Sequence, residues 1–396
     1  MEYSLKVNSK HSQDIKDLMA LAKGTDLISF AGGMPNNQLF PIEQIDAIYN
    51  QLPREIKEIG FQYGPTSGYP PLVSTLRKYL RKKGLPVDTH RLLITTGSLQ
   101  AISIITQEFV NTGDPILLEN PSFVGAISIF ETYGAQMNSI PIDEDGIRID
   151  LLIEKIESLS EKPKFLYITP NYHNPAGIIY SLERKKELLR VLEKYDILLI
   201  EDDAYSELYF DEQEKHLTQS MISMKSEVEI VYTGSFSKIL GPGFRLGWLL
   251  ASPDIYEKSE SIKQALDACT SNFTQILANE FVKTGALDHY LKFLRKEYRT
   301  RHAILEDHLK KYMPDAITWN IPKGGFYVWL KLPKHIRATD ILQETAKQKV
   351  MFIPGRTFDP HSTKDDCIRL SFSNVAIQDI EKGVRVIGEA LREKMG

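Results

Sequence analysis

Lys238 stands in Ser235-Phe236-Ser237-Lys238, closely followed by Gly241-Pro242-Gly243-Phe244-Arg245-Leu246-Gly247-Trp248. A lysine held beside a second cation is driven toward its neutral amine, because like charge and partial burial both disfavour the ammonium. A neutral amine attacks an aldehyde to form a Schiff base. Ser235, Ser237 and Arg245 offer what a phosphate ester needs, hydroxyl donors and a planar cation. Amine and phosphate donors together point to pyridoxal phosphate. Taken alone, the same residues also read as a solvated loop that happens to contain Ser-x-Ser-Lys.

Further motifs carry complementary chemistry. Thr96-Gly97-Ser98-Leu99-Gln100 lies between a strand pattern and a helix pattern. Free N–H groups and the helix dipole make such a junction an anion site, to which Ser98 adds a hydroxyl; it also reads as an ordinary turn and N-cap. Asp202, in Ile200-Glu201-Asp202-Asp203-Ala204-Tyr205, follows an apolar run. A carboxylate there can pair with a protonated pyridine nitrogen, and the other readings are a capped turn or an acidic metal cluster. In Asn171-Tyr172-His173-Asn174-Pro175-Ala176-Gly177 the Asn174 amide can reach a phenolic oxygen, joined by Tyr205, although Asn-Pro and Gly177 also suit a plain loop. His173 reads as loop packing. Phe123 can stack on an aromatic ring or fill core. Arg369, inside the apolar run Cys367-Ile368-Arg369-Leu370-Ser371-Phe372, needs a partner if buried, either a structural carboxylate or a substrate α-carboxylate.

The elements that must position these groups alternate along the chain. Strands are expected over Leu92–Thr96, Ile116–Glu119, Phe165–Thr169, Ile197–Glu201, Ile230–Thr233 and Leu246–Ala251. Helices are expected over Ser98–Val110, Phe123–Thr132, Leu151–Ser158 and Leu182–Lys194. Near-continuous apolar strands interleaved with helices predict an α/β fold with a mostly parallel sheet. Ligands of such sheets bind beyond the carboxyl ends of strands, where Gly97, Asn171, Asp202 and Ser235 are expected. From about Leu287 a long charged helix, short strands at Thr318–Trp319, Gly325–Leu330 and Cys367–Ser371, and helices near Thr339–Lys349 and from Ile377 suggest a smaller α+β unit. Helix Ser12–Ala22 and the Phe30-Ala31-Gly32-Gly33 turn are expected to pack with it.

Composition narrows the function. With 42% hydrophobic and 25% charged residues over 396 positions, the chain resembles ordinary soluble proteins and exceeds one typical domain. A net charge of −4 without a long basic run argues against general nucleic-acid binding. Met1–Lys10 is polar, giving no signal-peptide core, and no apolar run reaches bilayer length. Cys269 and Cys367 are expected to be reduced cysteines of a cytoplasmic protein, and no histidine spacing supports a metal site.

Together the motifs resemble a fold-type I, pyridoxal-phosphate-dependent aminotransferase of class I/II. The match runs from Gly33 to Arg369 through Tyr63-Gly64-Pro65-Thr66-x-Gly68, Gly97-Ser98, Asn-x-x-Asn-Pro-x-Gly, Asp-x-x-Tyr, Ser-x-Ser-Lys and Arg245. Ser29-Phe30-Ala31-Gly32-Gly33-Met34-Pro35 and Gln62-Tyr63-Gly64-Pro65 are similar to the 2-aminoadipate, kynurenine and broad-specificity subgroup. The resemblance implies a large cofactor-binding domain over 46–287, a small domain over 288–396 and an N-terminal segment over 1–45 packing with the latter. It implies that Lys238 holds the cofactor and moves a proton, that Asp202 pairs with the pyridine nitrogen, and that Asn174 and Tyr205 bind the phenolic oxygen. Ser98, the Leu99 backbone, Ser235, Ser237 and Arg245 would hold the phosphate, and Phe123 would stack on the ring. Gly33, Asn174 and Arg369 would contact substrate, and Tyr63 would reach the partner's phosphate in a homodimer. The substrates implied are an L-amino acid and a 2-oxo acid, with 2-oxoglutarate as acceptor. Leucine at 99, phenylalanine at 123 and Lys16, where aminoadipate enzymes carry an arginine, depart from the subgroup. A β-lyase on the same fold shares these motifs. An aminotransferase-like regulator would need a DNA-binding module, for which the residues before Gly32 are too few.

Overall fold

The computed structural model describes residues 27–395; Lys16 and the helix expected over Ser12–Ala22 lie outside them. In chain order its strands are β1 (Ile28–Ser29), β2 (Arg91–Thr95), β3 (Pro115–Asn120), β4 (Gln136–Asp143), β5 (Gly146–Ile147), β6 (Phe165–Ile168), β7 (Leu198–Asp203), β8 (Ile230–Ser235), β9 (Gly247–Ala251), β10 (Thr318–Trp319), β11 (Tyr327–Lys331), β12 (Val350–Met351), β13 (Ile353–Pro354) and β14 (Cys367–Ser371).

Eight of these form one sheet in the order β2-β9-β8-β7-β6-β3-β4-β5. Strands β4, β3, β6, β7 and β8 run parallel, whereas β9 is antiparallel to both β8 and β2. Successive strand side chains point to opposite faces, and the apolar residues divide accordingly. Ile94, Leu117, Leu166 and Leu199 join one core, while Leu93, Leu118, Tyr167 and Ile200 join the other. Helices Ser98–Phe109, Val124–Tyr133 and Pro253–Asp267 cover the second face through Ile102, Ile105, Ile127, Phe130 and Ile255. Helices Pro70–Lys82, Ile149–Ser158 and Leu182–Tyr195 contribute Leu72, Leu76, Leu152 and Leu188 to the first.

A four-stranded sheet, β10-β11-β14-β13, lies beside the long helix Ala286–Tyr312 and the helix Ile377–Met395. Strand β1 pairs with β12, and the Phe30 carbonyl accepts the Ser371 amide. A side chain at Gly383 would collide with Phe30, so that glycine lets the helix Ile377–Met395 close on the segment.

Two elements differ from the sequence reading in ways that matter for the site. Strands β7 and β8 run further than the apolar runs, because Asp202–Thr233 and Asp203–Gly234 continue their pairing. Asp202 and Ser235 therefore sit in the last residues of strands rather than just past them. The antiparallel β9 brings its amino end to the same edge as the carboxyl ends of its neighbours. Gly247 faces Thr95 of β2 and Ser235 of β8, which draws Gly97, Ser235 and Arg245 to one corner. A Cβ on Gly247 would stand 2.6 Å from the Gly97 carbonyl carbon and the Ser98 nitrogen, so only glycine allows this approach.

Candidate active site

A cavity of about 470 Å³ opens at the carboxyl edge of the large sheet, toward β11 and β14. Gly33, Ser98, Leu99, Phe123, Asn174, Asp202, Tyr205, Ser235, Ser237, Lys238, Arg245 and Arg369 all line it. Tyr63 does not; it is 83% exposed elsewhere on the chain. A larger open groove of about 1220 Å³ includes Lys78, Glu207 and Arg295 and none of the residues singled out from the sequence.

Lys238 follows β8 in a turn fixed by Ser235, whose hydroxyl accepts the Ser237 amide at 3.0 Å and donates to the Ser237 hydroxyl at 2.9 Å. The Lys238 Nζ donates to the Gly33 carbonyl at 2.8 Å. Burial, then Arg369 and then Arg245, push the Lys238 pKa from 10.5 down to about 8, against an opposing pull from Asp202. Such an amine carries a substantial neutral fraction near physiological pH.

Asp202 is 3% exposed. Its Oδ1 accepts the Thr233 hydroxyl and its Oδ2 the Tyr167 hydroxyl, each at 2.8 Å. Burial pushes its pKa up to about 6, while these two hydrogen bonds pull it down. Near neutrality the carboxylate is therefore mostly ionised, fixed in place and ready for a cationic partner. The Tyr205 hydroxyl lies 2.9 Å from that of Tyr327.

At the other side, the Arg369 Nη1 donates to Asn174 Oδ1 at 2.9 Å and its Nη2 to the Ala31 carbonyl. Its guanidinium lies between the rings of Tyr327 and Phe358, at 4.6 and 4.7 Å from their centroids. Its buried Nε finds no acceptor among the described residues. Asn174 is carried by a loop held from beneath by Glu119, whose Oε2 accepts the Thr169 amide at 2.8 Å and lies 3.1 Å from His173 Nε2. The Ala176 amide donates to His173 Nδ1 at 3.1 Å, so Nε2 carries the proton toward Glu119. His173 thus packs the loop, as its sequence context suggests.

Gly97, at φ 86°, faces Arg245: a Cβ there would lie 2.9 Å from Arg245 Nη2. Ser98 begins the helix Ser98–Phe109, and first-turn N–H groups have no intrahelical acceptor. The set fits pyridoxal phosphate: an amine of lowered pKa, a buried carboxylate for a pyridinium, an anion turn, and a guanidinium with an unmet donor. Three participants escape the sequence. Tyr167, Thr233 and Tyr327 sit in apolar strands with no motif; the pairing of β6, β7 and β8 brings the first two to Asp202, and Tyr327 reaches Tyr205 from the smaller sheet.

No group of three His, Cys, Asp or Glu side chains suited to a metal occurs among the described residues, and Cys269 and Cys367 are both unpaired.

Fold and cavity define a fold-type I pyridoxal-phosphate transferase. The sequence profile of aminotransferase class I and II matches residues 31–387, and the chain belongs to that family. It is 33% identical to aromatic-amino-acid aminotransferase 1 of Thermococcus litoralis, covering 99% of this chain and 94% of the relative. Identity to the 2-aminoadipate transaminase of Thermus thermophilus is 34%, over 96% and 93% of the two chains. The kynurenine aminotransferase of Pyrococcus horikoshii, solved with PMP, kynurenine and kynurenic acid, superposes with a TM-score of 0.93 at 33% identity over 98% of each chain.

Proposed function

We propose that this aminotransferase moves the amino group of an L-amino acid with an aromatic or large apolar side chain to a 2-oxo acid, with 2-oxoglutarate as acceptor. The observation that carries the reading is the single cavity in which Lys238, Asp202, Asn174 and Arg369 converge.

Bound there, pyridoxal phosphate supplies the electron sink for charge left on the substrate Cα. The Lys238 amine would hold the cofactor covalently until the substrate amine displaces it, and the freed amine would then take the Cα proton and hand it on. Asp202 would keep the pyridine nitrogen protonated, and Asn174 and Tyr205 would donate to the phenolic oxygen. Ser98, the Leu99 amide, Ser235, Ser237 and Arg245 would bind the phosphate, and Phe123 would cover the ring. Arg369 takes the α-carboxylate and Gly33 leaves room for it. A side chain at Gly33 would collide with the Tyr327 hydroxyl.

Substrate class follows from the remaining lining. Met34, Val124, Phe352, Ile353 and Phe358 are apolar, and the cations among the described lining residues are Lys238, Arg245 and Arg369. All three have assigned partners, which favours apolar over acidic donor side chains. The second carboxylate of 2-oxoglutarate then needs a further cation from outside the described lining. Tyr63, Phe61 at 79% exposure and Ile59 present apolar surface, supporting a homodimer in which Tyr63 serves the partner's phosphate. The domain limits at 45 and 287 belong to the same reading. So does a cytoplasmic location; among the described residues no helix is long and apolar enough to cross a membrane.

A panel of amino donors with 2-oxoglutarate tests the proposal. Phenylalanine, tyrosine and leucine should exceed aspartate in kcat/KM. Preference for acidic donors would overturn the substrate class, and pyruvate and ammonia release from a cysteine conjugate without amino transfer would overturn the reaction. Mixing Lys238→Ala with Tyr63→Ala chains should regain activity in hybrid dimers, since one site then carries neither lesion.

A further inference from the structure

Behind the Gly97 turn, on the side away from the cavity, lies a closed set of polar contacts that no step of the reaction uses. Lys263 is fully buried in the helix Pro253–Asp267, and its Nζ donates to Asp267 Oδ1 at 2.6 Å. Asp267 Oδ2 accepts twice more, from the Thr96 hydroxyl at 2.9 Å and from Gln100 Nε2 at 2.7 Å. Gln100 completes the ring, its Oε1 accepting the Thr96 amide at 2.7 Å. The Thr96 carbonyl accepts Arg245 Nη2 at 3.3 Å. Every polar atom of the residue before Gly97 is thereby engaged.

We propose that Asp267, acting through Gln100 and Thr96, is a positioning residue for cofactor phosphate binding, and that Lys263 cancels its charge. This rests on the reading that the Gly97–Leu99 turn receives the phosphate.

The geometry supplies the reason. An anion site made of first-turn N–H groups works only if those groups already point at one place; otherwise binding must order them. Gly97 sits at φ 86°, a conformation glycine adopts freely and also leaves freely, so its own backbone does not hold the turn. The ring ties the preceding residue to a helix from a different part of the chain, and Gln100 ties it to the helix that the turn opens. A carboxylate is the fitting hub, since its oxygens can accept several donors at once. Burial pushes the Asp267 pKa up, but the hydrogen bonds from Lys263, Gln100 and Thr96 hold it below the ordinary value.

That charge also explains the lysine. A bare carboxylate close to an incoming phosphate would repel it, and the distance dependence inside a protein is gentle enough for the effect to be felt. A buried ammonium costs desolvation and often adds little stability over an apolar residue. Here its placement makes the brace neutral toward the phosphate while leaving Oδ2 free for Thr96 and Gln100.

The test compares pyridoxal phosphate with pyridoxal, which has the same ring and aldehyde and no phosphate. Full-length chain stripped of cofactor is titrated with each, and binding is followed by intrinsic fluorescence. Gln100→Met keeps the volume, leaves no charge unpaired and cuts the ring; Asp267→Asn removes the hub's charge. Both should weaken pyridoxal phosphate about tenfold, as expected for loss of a charge-assisted hydrogen bond, with pyridoxal affinity unchanged. Lys263→Met should likewise weaken the phosphate ester alone, and adding Asp267→Asn to it should recover part of the loss. Equal weakening of both ligands, or a lowered Tm with both affinities intact, would overturn the proposal and leave the ring a structural staple. Ser98→Ala separates the two levels. If it shifts the ratio and Gln100→Met does not, the brace is wrong; if neither shifts it, the phosphate assignment itself falls.

Discussion

The two walls of the cavity are finished differently. On the large-sheet wall both Asp202 oxygens are taken by Thr233 and Tyr167, and Ser235 and Ser237 satisfy one another. On the opposite wall Arg369 reaches only neutral acceptors, Asn174 Oδ1 and the Ala31 carbonyl, and its buried Nε has none among the described residues. Burial lowers its pKa against the pull of Tyr327 and Tyr205, a direction that an arriving carboxylate reverses. On the proposed reading, the sheet wall suits a permanent guest whose position must not vary. On the same reading, the Arg369 wall keeps a donor in reserve for a guest that enters and leaves every turnover. Rigid β-pairing supplies the first property, and a ring-sandwiched guanidinium supplies the second.

Substitutions can break or sharpen this contrast. The largest effect should come from Lys238→Ala, which removes the group shared by both walls. Amino transfer should fall by about 10⁴-fold or more, since proton transfer and the covalent hold vanish together. Full steady-state turnover by that variant would contradict the assignment. Next comes Asp202→Asn, nearly isosteric but uncharged. It should lower kcat by roughly 10²- to 10³-fold with little change in KM, the pattern of an interaction made mainly in the transition state. On the other wall Arg369→Lys should do the reverse. A point charge replaces a planar fork, so KM for every amino donor should rise by about tenfold or more while kcat moves less. If Asp202→Asn and Arg369→Lys gave the same split between kcat and KM, the contrast between the walls would be lost. The smallest effect belongs to Tyr327→Phe, which keeps the ring against Arg369 and removes the hydroxyl shared with Tyr205. Stability by urea titration should drop by about 1 kcal/mol, with kcat/KM within a few-fold of the parent.

The same contrast governs how much could be read from the sequence. Lys238, Asp202, Asn174 and Ser98 are legible because they sit in short polar motifs at the ends of apolar runs, where α/β sheets bind ligands. Their supports are not. Thr233 meets Asp202 because β7 and β8 pair residue for residue at that point, and Tyr167 arrives from the other neighbour, β6. Each lies inside an apolar run and looks like core. Arg369 stands out as a charge within such a run, but Tyr327 and Phe358 around it carry no signal. Strand β4 (Gln136–Asp143) is not predicted from the sequence, since its residues are mostly half-buried and its apolar positions are interrupted by Asn138 and Ser139, so it lacks the continuous apolar run that marks its neighbours. Helices Arg54–Gly60, Pro70–Lys82 and Pro253–Asp267 are likewise not among the elements expected from the sequence. Their prolines at or just before the first turn were the available signal.

The central claim, that one amine of lowered pKa joins the two walls, is tested most directly by trapping. Chain stripped of cofactor is mixed with pyridoxal phosphate at a series of pH values, reduced with borohydride at timed intervals, and digested for peptide mass analysis. The account predicts that the modified residue is Lys238. The initial rate should climb with pH while the ammonium is being lost and level off above about 8, the value to which burial and the two arginines bring this group. Modification at another lysine, or a rate that keeps rising toward the ordinary lysine pKa, would contradict it.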